Sequence, residues 1–472
     1  LIHGVTGSGK TEVYIEMIKR VVAMGRQAIV LIPEIGLTYQ TELRFKRYFG
    51  DRVSVMNSTL APGERYNHCE RAKRGEIDVI IGPRSALFTP FLNIGLIVID
   101  EEHENTYKNE NMPRYHAKEV AEKLAQIHGA SLVLGSATPS VESYFNAKAG
   151  VYKLYNLSKR AIGEQLAHTH IVDLRKELKD GNRSIFSRKM FELMEDRLQK
   201  GEQIMLFLNR RGYAGFVSCR ACGEVIKCPH CDVSLAEHKS MGKMVCHYCG
   251  YETPIPKSCP SCGSKYISSF KAGTEQIEAE VQKLFPGVKT LRMDADTTKR
   301  KGSFEKILSA FGKNEANVLI GTQMIVKGHD FPNVTLVGII AADLSLGSGD
   351  FRASERTFQL LTQAAGRAGR SNKPGEVVIQ TYQPEQYGIV YAAKQDYEAF
   401  YEEEMVFRDI SGYPPSREIM AVLVTDKNSD TAFLLSERLA MVAMKTSESA
   451  DVIGPAKAGI GKINDTYRYV FY

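Results

Sequence analysis

Gly4-Val5-Thr6-Gly7-Ser8-Gly9-Lys10-Thr11 matches the pattern G-x-x-x-x-G-K-[ST] in full. Glycines at these places let backbone N–H groups turn inward around phosphate oxygens. Lys10 is placed to neutralise the β and γ oxygens, and Thr11 offers a hydroxyl to Mg²⁺. Leu1-Ile2-His3 reads as the tail of a strand and residues 12–22 as the helix that follows. Gly4, Gly7, Ser8, Gly9, Lys10 and Thr11 are therefore the candidate nucleotide-binding residues.

Outward from this loop, Ile94-Gly95-Leu96-Ile97-Val98-Ile99 is a short apolar run typical of a buried parallel strand, and it ends in Asp100-Glu101-Glu102-His103. Carboxylates at the C-terminal edge of such a strand lie where ligands bind in open α/β sheets. Asp100 is expected to hold Mg²⁺, Glu101 to orient and deprotonate an attacking water, and His103 to sense the γ-phosphate. Residues 27–34, 78–86 and 131–139 repeat the beat of a buried strand ending in small or hydroxyl residues. At the end of the last, Thr138 is a candidate donor to the phosphates of a polymer. Strand–helix alternation of this kind predicts a mostly parallel sheet covered on both faces.

A second set of strands follows. Residues 317–324 form one, with Thr322 at its end, and Lys327-Gly328-His329-Asp330 comes next. Residues 359–370 then read Gln-Leu-Leu-Thr-Gln-Ala-Ala-Gly-Arg-Ala-Gly-Arg. A loose phosphoryl transition state spreads charge over the γ oxygens, and arginines from a facing lobe stabilise it. Arg367 and Arg370, three apart, share one helix face, and Gln363 is placed to meet the γ-phosphate. Loop, acidic strand end and Ser136-Ala137-Thr138, in this order, resemble motifs I to III of superfamily-two helicases. The later segments resemble motifs V and VI. Motif II reads Asp-Glu-Glu-His here, unlike the boxes of the RNA-helicase branches, which points away from RNA.

Between residues 216 and 270 the α/β beat stops. Four Cys-x-x-Cys pairs appear, Cys219/Cys222, Cys228/Cys231, Cys246/Cys249 and Cys259/Cys262, with gaps of five, fourteen and nine residues. Each supplies half of a tetrahedral thiolate site, so eight ligands predict two Zn²⁺. The fourteen-residue gap suits a ribbon hairpin, which groups Cys228, Cys231, Cys246 and Cys249 as an inner site and leaves Cys219, Cys222, Cys259 and Cys262 as an outer one. Sequential pairing is the rival. Cys69 stands alone and reads as a partly buried small side chain.

The bulk numbers fit this reading. At 472 residues the chain is too long for one core. A net charge of +6 is compatible with nucleic acid but does not argue for it. No run reaches the roughly 20 apolar residues of a membrane span. Cysteines paired at metal-ligand spacing suit a reducing cytoplasm. The start at Leu1 and the end at Tyr472 read as cuts, with further sequence expected on both sides.

The insertion, following Phe207-Leu208-Asn209-Arg210-Arg211-Gly212-Tyr213, resembles that of the primosomal protein N′ (PriA) family of bacterial replication-restart helicases. The resemblance covers essentially the whole chain. The stretch 103–115 looks like that family's aromatic-rich loop, in which Tyr107 and Tyr115 are expected to stack on bases and Lys108 and Arg114 to meet phosphates. The resemblance implies an α/β chain with two RecA-like parallel-sheet lobes, a double zinc-ribbon-like insertion in lobe two and a truncated α+β C-terminal domain. Lobe one is expected over 1–155, a connection over 156–182, lobe two over 183–382 and the last domain over 383–472, with one helix at 386–407. It further implies an ATP- and Mg²⁺-dependent 3′→5′ DNA helicase with two Zn²⁺ that remodels stalled forks and D-loops and initiates primosome assembly. The implied partners are single-stranded and forked DNA, single-strand-binding protein and primosome and restart proteins, in a bacterial, nucleoid-associated cytoplasmic setting. The family's N-terminal module, which holds the 3′ end of the leading strand, is not in this sequence, so fork-specific binding is expected to be weakened. Rival readings are a zinc-centred assembly platform with a secondary ATPase, and a double-strand translocase or RNA helicase.

Overall fold

A computed structural model describes residues 1–33, 39–57, 60–160, 167–208, 217–230, 234–238, 242–247, 249–269, 273–294, 296–298, 300, 302–326, 331–346, 350–369, 373–446 and 451–472. They form two compact units. One comprises Leu1–Ala167, Met324–Val334 and Gly366–Gly375, the other His168–Gln323, Thr335–Ala365 and Glu376–Tyr472.

The first unit is built on β1 (Ile2–Gly4), α1 (Lys10–Ala23), β2 (Gln27–Leu31), α2 (Tyr39–Phe49), β3 (Val53–Val55), α3 (Pro62–Lys73), β4 (Val79–Gly82) and β5 (Ile94–Asp100). It continues with β6 (Lys108–Asn109), β7 (Tyr115–His116), α4 (Ala117–His128), β8 (Ser131–Ser136), α5 (Val141–Lys148) and β9 (Tyr155–Leu157). Seven strands pair in the order β3-β4-β2-β5-β8-β1-β9, all parallel. β2 and β5 are buried along their lengths save Asp100, as unbroken apolar runs in a sheet covered on both faces must be. Helix α1 lays Tyr14, Ile15 and Ile18 onto this core beside Val30, Val98 and Val133. Each such side chain contributes about 1.5–3 kcal/mol through burial.

The second unit opens with β10 (His168–Asp173), α6 (Leu174–Lys179), α7 (Arg188–Gln199) and β11 (Gln203–Phe207). The cysteine-rich segment contributes β12 (Val217–Cys219), β13 (Ala236–His238), β14 (Lys243–Val245), β15 (Glu252–Pro254) and β16 (Ile267–Ser269). Then come α8 (Thr274–Leu284), β17 (Thr290–Met293), α9 (Ser303–Gly312), β18 (Val318–Gly321), β19 (Val334–Ile339), α10 (Asp343–Leu346), α11 (Ala353–Ala365) and β20 (Glu376–Thr381). A six-stranded sheet runs β10-β20-β19-β11-β18-β17 over a core that includes Met190, Leu206, Ile320, Leu336 and Val378. These are two RecA-like parallel sheets with a cysteine-rich insertion in the second. The chain closes with α12 (Tyr387–Lys394), α13 (Tyr397–Ser411), β21 (Val422–Asp426), α14 (Ser429–Thr446), β22 (Ala456–Ile463) and β23 (Thr466–Phe471), the last three strands forming an antiparallel sheet β21-β23-β22.

Two expectations need correction. The connection placed at 156–182 is shorter, because β9 adds an edge strand to the first sheet and β10 pairs in parallel with β20 across its whole length. Its sequence, His-Thr-His-Ile-Val-Asp, is mostly polar because an edge strand is only partly covered, so it lacks the apolar run that marks the inner strands. The single helix at 386–407 is two helices. Gln395 turns left-handed at φ 53° and ends α12, and the Asp396 side chain accepts from the Ala399 N–H to start α13.

Candidate nucleotide site and cysteine cluster

The phosphate loop is shaped by two residues only glycine suits. Gly7 and Gly9 sit at φ +82° and +84°, a region L side chains rarely adopt. Gly9, which caps α1, has no side chain to occupy the helix start, which leaves the N–H groups of Lys10 and Thr11 for a ligand. Lys10 Nζ donates to the Gly4 carbonyl at 2.7 Å, a contact that an incoming phosphate oxygen can replace. Among the described residues Ser8 Oγ is buried without a hydrogen-bond partner, as a loop built to meet a polar ligand would leave it. The half-buried Thr11 follows on α1.

Strand register carries the acidic motif to the same place. His3 pairs with Ser136 and Gly135 with Asp100, so the ends of β1, β8 and β5 form one row at the carboxyl edge of the sheet. Asp100 accepts from the Tyr14 hydroxyl at 3.0 Å. Burial, and then the charge of Glu101, push its carboxyl up to about 6, and Lys10 opposes them. Glu101 is held at φ 48°, strained for a residue with a Cβ, and its Oε2 accepts no hydrogen bond among the described residues. His103 Nδ1 lies 2.7 Å from Ser136 Oγ, which also accepts from the Thr138 N–H at 2.9 Å. Motifs II and III are thus joined directly.

Sequence reasoning passed over Glu102. It is 5% exposed and accepts from Ser140 N at 2.6 Å, Ser140 Oγ at 3.1 Å and Ser143 Oγ at 2.8 Å, tying the acidic turn to the start of α5. A third carboxylate in the strand-end run was the only signal.

The aromatic-rich stretch needs a correction. Tyr107 is buried, 1% exposed, and its hydroxyl donates to the Asp100 carbonyl at 2.6 Å. It cannot stack on a base; it fastens the stretch to the backbone of the acidic motif. Arg84 holds the stretch from outside, donating to the Thr106 and Lys108 carbonyls at 2.7 and 2.9 Å. Tyr115 meets Phe88 edge to face at 5.4 Å, and Phe88, Lys108 and Arg114 are exposed. Thr138 is wholly buried, so its hydroxyl does not face solvent, whereas Thr322 is half-buried at the end of β18.

Gln363 is buried on α11. Just beyond that helix, Gly366 belongs with the first unit and lies against Thr6 of the phosphate loop. A Cβ there would come within 2.8 Å of Thr6 Cγ2. Arg367, half-buried, follows it in the chain. Arg370 and Lys327–Asp330 lie outside the described residues.

In the insertion, β12 pairs antiparallel with β16 and brings Cys219, Cys222, Cys259 and Cys262 together. The β13-β14-β15 meander gathers Cys228, Cys246 and Cys249, while Cys231 lies outside the described residues. The Sγ···Sγ distances are 3.7, 3.6 and 3.5 Å for Cys219–Cys262, Cys222–Cys259 and Cys228–Cys249. Disulfide sulfurs stand about 2.05 Å apart. Four thiolates about 2.3 Å from one tetrahedral Zn²⁺ stand about 3.8 Å apart, so the donor set fits zinc. Three knuckles share a feature legible in hindsight. A glycine follows the second cysteine, Gly223, Gly250 and Gly263, each at positive φ, and its N–H donates to the first cysteine's carbonyl at 2.8 to 3.0 Å. The knuckles are anchored within their unit. Arg175 donates to the Cys222 carbonyl at 3.3 Å, and Gly223 sits so close to the Tyr382 carbonyl that a Cβ would fall 2.2 Å from its oxygen.

Across 470 residues the chain is 38% identical to the replication restart protein PriA of Rickettsia felis, covering 99% of this chain and 72% of that protein. The chain belongs to the PriA family. PriA of Bacillus subtilis is 51% identical over 471 residues, and PriA of Haemophilus influenzae 41% over 471. The chain spans 58% and 64% of the lengths of these two PriA relatives. Residues 1–146 match the DEAD/DEAH box helicase family, 228–254 the PriA DNA helicase Cys-rich region domain, and 264–372 the helicase conserved C-terminal domain. The PriA Cys-rich match thus spans the inner thiol group. The fold resembles that of the DUF1998 helicase MrfA in its crystal structure bound to DNA, with a TM-score of 0.50 at 14% identity over 94% of this chain and 52% of that one. No helix among the described residues is long and apolar enough to cross a membrane.

Proposed function

We propose that the chain is the ATP-driven motor of a 3′→5′ DNA helicase that remodels stalled forks and D-loops and initiates primosome assembly. The observation that carries this reading is the row at the carboxyl edge of the first sheet, where the loop strand, Asp100 and Ser136 stand side by side in a chain of the PriA family. Lys10 exchanges the Gly4 carbonyl for phosphate oxygens of ATP. Thr11 and Asp100 would hold Mg²⁺, which supplies neutralising charge. Glu101, whose Oε2 accepts no hydrogen bond among the described residues, orients and deprotonates water. Arg367 and Arg370 stabilise charge on the transferred phosphoryl group, and Gln363 acts beside them. His103 links the acidic motif to Ser136, and Tyr107 links it to the surface that carries Arg114 and Tyr115. Through these links DNA contact reaches the hydrolytic groups.

Two Zn²⁺ are proposed, one on Cys219, Cys222, Cys259 and Cys262 and one on Cys228, Cys231, Cys246 and Cys249. The proposed partners are single-stranded and forked DNA, single-strand-binding protein and the primosome and restart proteins, in the nucleoid-associated cytoplasm. The test is unwinding of 3′-tailed against 5′-tailed duplexes, with zinc measured on the same sample. Unwinding of 3′-tailed substrate, lost in Lys10→Ala, is expected. ATP turnover that ignores single-stranded DNA, or equal action on both tails, would overturn the reading.

A further inference from the structure

Away from the nucleotide site and the thiols, three other metal-ligating side chains converge. His168 and His170 lie two apart on β10, hence on one face of that strand. The register of β10 against β20 sets His168 beside Glu376. His168 Nδ1 lies 3.1 Å from His170 Nε2, and His170 Nε2 lies 3.1 Å from Glu376 Oε1. The three ligand atoms fall within 4.8 Å of one another.

One ring nitrogen, His170 Nε2, takes part in both contacts. A ring nitrogen carries either a hydrogen or an in-plane lone pair. If His170 Nε2 donates to Glu376, it has no lone pair for His168. If it accepts from His168, its lone pair opposes that of the carboxylate. No single hydrogen serves both contacts linearly, whereas a cation accepting three lone pairs serves all of them. Nitrogen and oxygen ligands about 2.0–2.2 Å from a tetrahedral Zn²⁺ stand about 3.4 Å apart, close to the two 3.1 Å contacts that His170 Nε2 makes.

The carboxylate is also oriented from behind. Arg197, 10% exposed, pairs with Glu376 Oε2 and with Asp196 Oδ2 at 2.6 Å, which leaves Oε1 turned toward His170. Support of a ligand by a neighbouring group is what metal sites require. His168 is exposed at the sheet edge, which gives an ion a route in and a fourth, open position. We propose that His168, His170 and Glu376 form a two-histidine, one-carboxylate site for a divalent transition-metal ion of the zinc class. Its ion staples the edge strand β10 to β20. The ligand types exclude Ca²⁺ and Mg²⁺ as preferred occupants, since those ions choose all-oxygen sets.

The test compares the full chain with His168→Ala/His170→Ala after equilibrium dialysis at buffered micromolar free zinc. Wild type should bind one equivalent more than the double variant by elemental analysis, whatever the total, so the result is independent of how the cysteines are occupied. Glu376→Gln should weaken that extra equivalent at least tenfold. A Co²⁺ titration of the chain holding zinc in its thiolate sites alone should show d–d absorption without thiolate-to-metal charge transfer, and the double variant should lose it. Equal zinc counts in wild type and double variant would overturn the proposal. So would a difference that carries the thiolate band.

Discussion

Replacing Gly135 by alanine should unseat the tyrosine that steadies Asp100. A Cβ at position 135 would stand 1.7 Å from Tyr14 Oη and 2.8 Å from Tyr14 Cζ, both far inside contact distance. Tyr14 is 1% exposed and packed in the core of the first sheet, so its ring has no open space to enter. The ring must shift, and its 3.0 Å hydrogen bond to Asp100 is lost with it. Overpacking a core costs about 1–3 kcal/mol. Losing a hydrogen bond to a charged group costs about 1.5–3 kcal/mol. Gly135→Ala should therefore destabilise the first unit by about 3–5 kcal/mol, and Tyr14→Phe alone by about 1.5–3 kcal/mol. In the double variant the most crowded oxygen is gone while Cζ still intrudes. The paired cost should fall short of the sum by at least about 1 kcal/mol. The chain has no tryptophan and two compact units, so calorimetry is the suitable assay, with Mg²⁺–ATP affinity measured in parallel. Melting of Gly135→Ala within about 0.5 kcal/mol of wild type, or strictly additive single costs, would refute the reasoning.

Three further outcomes are expected. Arg408 is wholly buried and donates to Glu355 at 2.6 Å, Glu404 at 2.9 Å and the Pro414 carbonyl at 2.7 Å, so Arg408→Met should cost the second unit about 3–5 kcal/mol by calorimetry; a loss below about 1 kcal/mol contradicts this. The folded chain holds the Asp100 proton more tightly than the unfolded one, its carboxyl being raised from 3.8 to about 6, first by burial and then by Glu101. The stability this group contributes is complete below its unfolded value and is lost as pH rises through about 6. Asp100→Asn should accordingly raise the stability of the nucleotide-free chain near pH 7 by up to about 3 kcal/mol, a gain that vanishes below the unfolded value, while abolishing ATP hydrolysis; a melting point near pH 7 no higher than wild type's counts against it. Cys259→Ser and Cys246→Ser should each remove one zinc and spare the other by elemental analysis, and loss of all zinc from both variants would deny two separate sites.

How much could be read in advance followed the distance over which each feature is encoded. The phosphate loop and the strand ending at Asp100 were legible because each needs only a few consecutive residues in one backbone shape. The nested thiol grouping was arguable from gap lengths, yet the β12–β16 pairing supplies the geometric reason for the outer group. Tyr107 was misjudged because aromatic composition signals stacking equally well inside a protein and on a base. Only the fold places its hydroxyl on the Asp100 carbonyl. β10 escaped notice because an edge strand has little apolar sequence to betray it.

By itself the sequence determined the backbone shape of the phosphate loop, the carboxylates at a strand end and the spacing of the paired thiols, since glycine conformations, carboxylates and cysteine spacing act within a turn of chain. Tertiary structure alone decided what Glu102 holds, that Thr138 faces inward, and that His170 meets Glu376 206 residues away. Burial and strand register are set by packing across the whole sheet, and no local window of residues contains them.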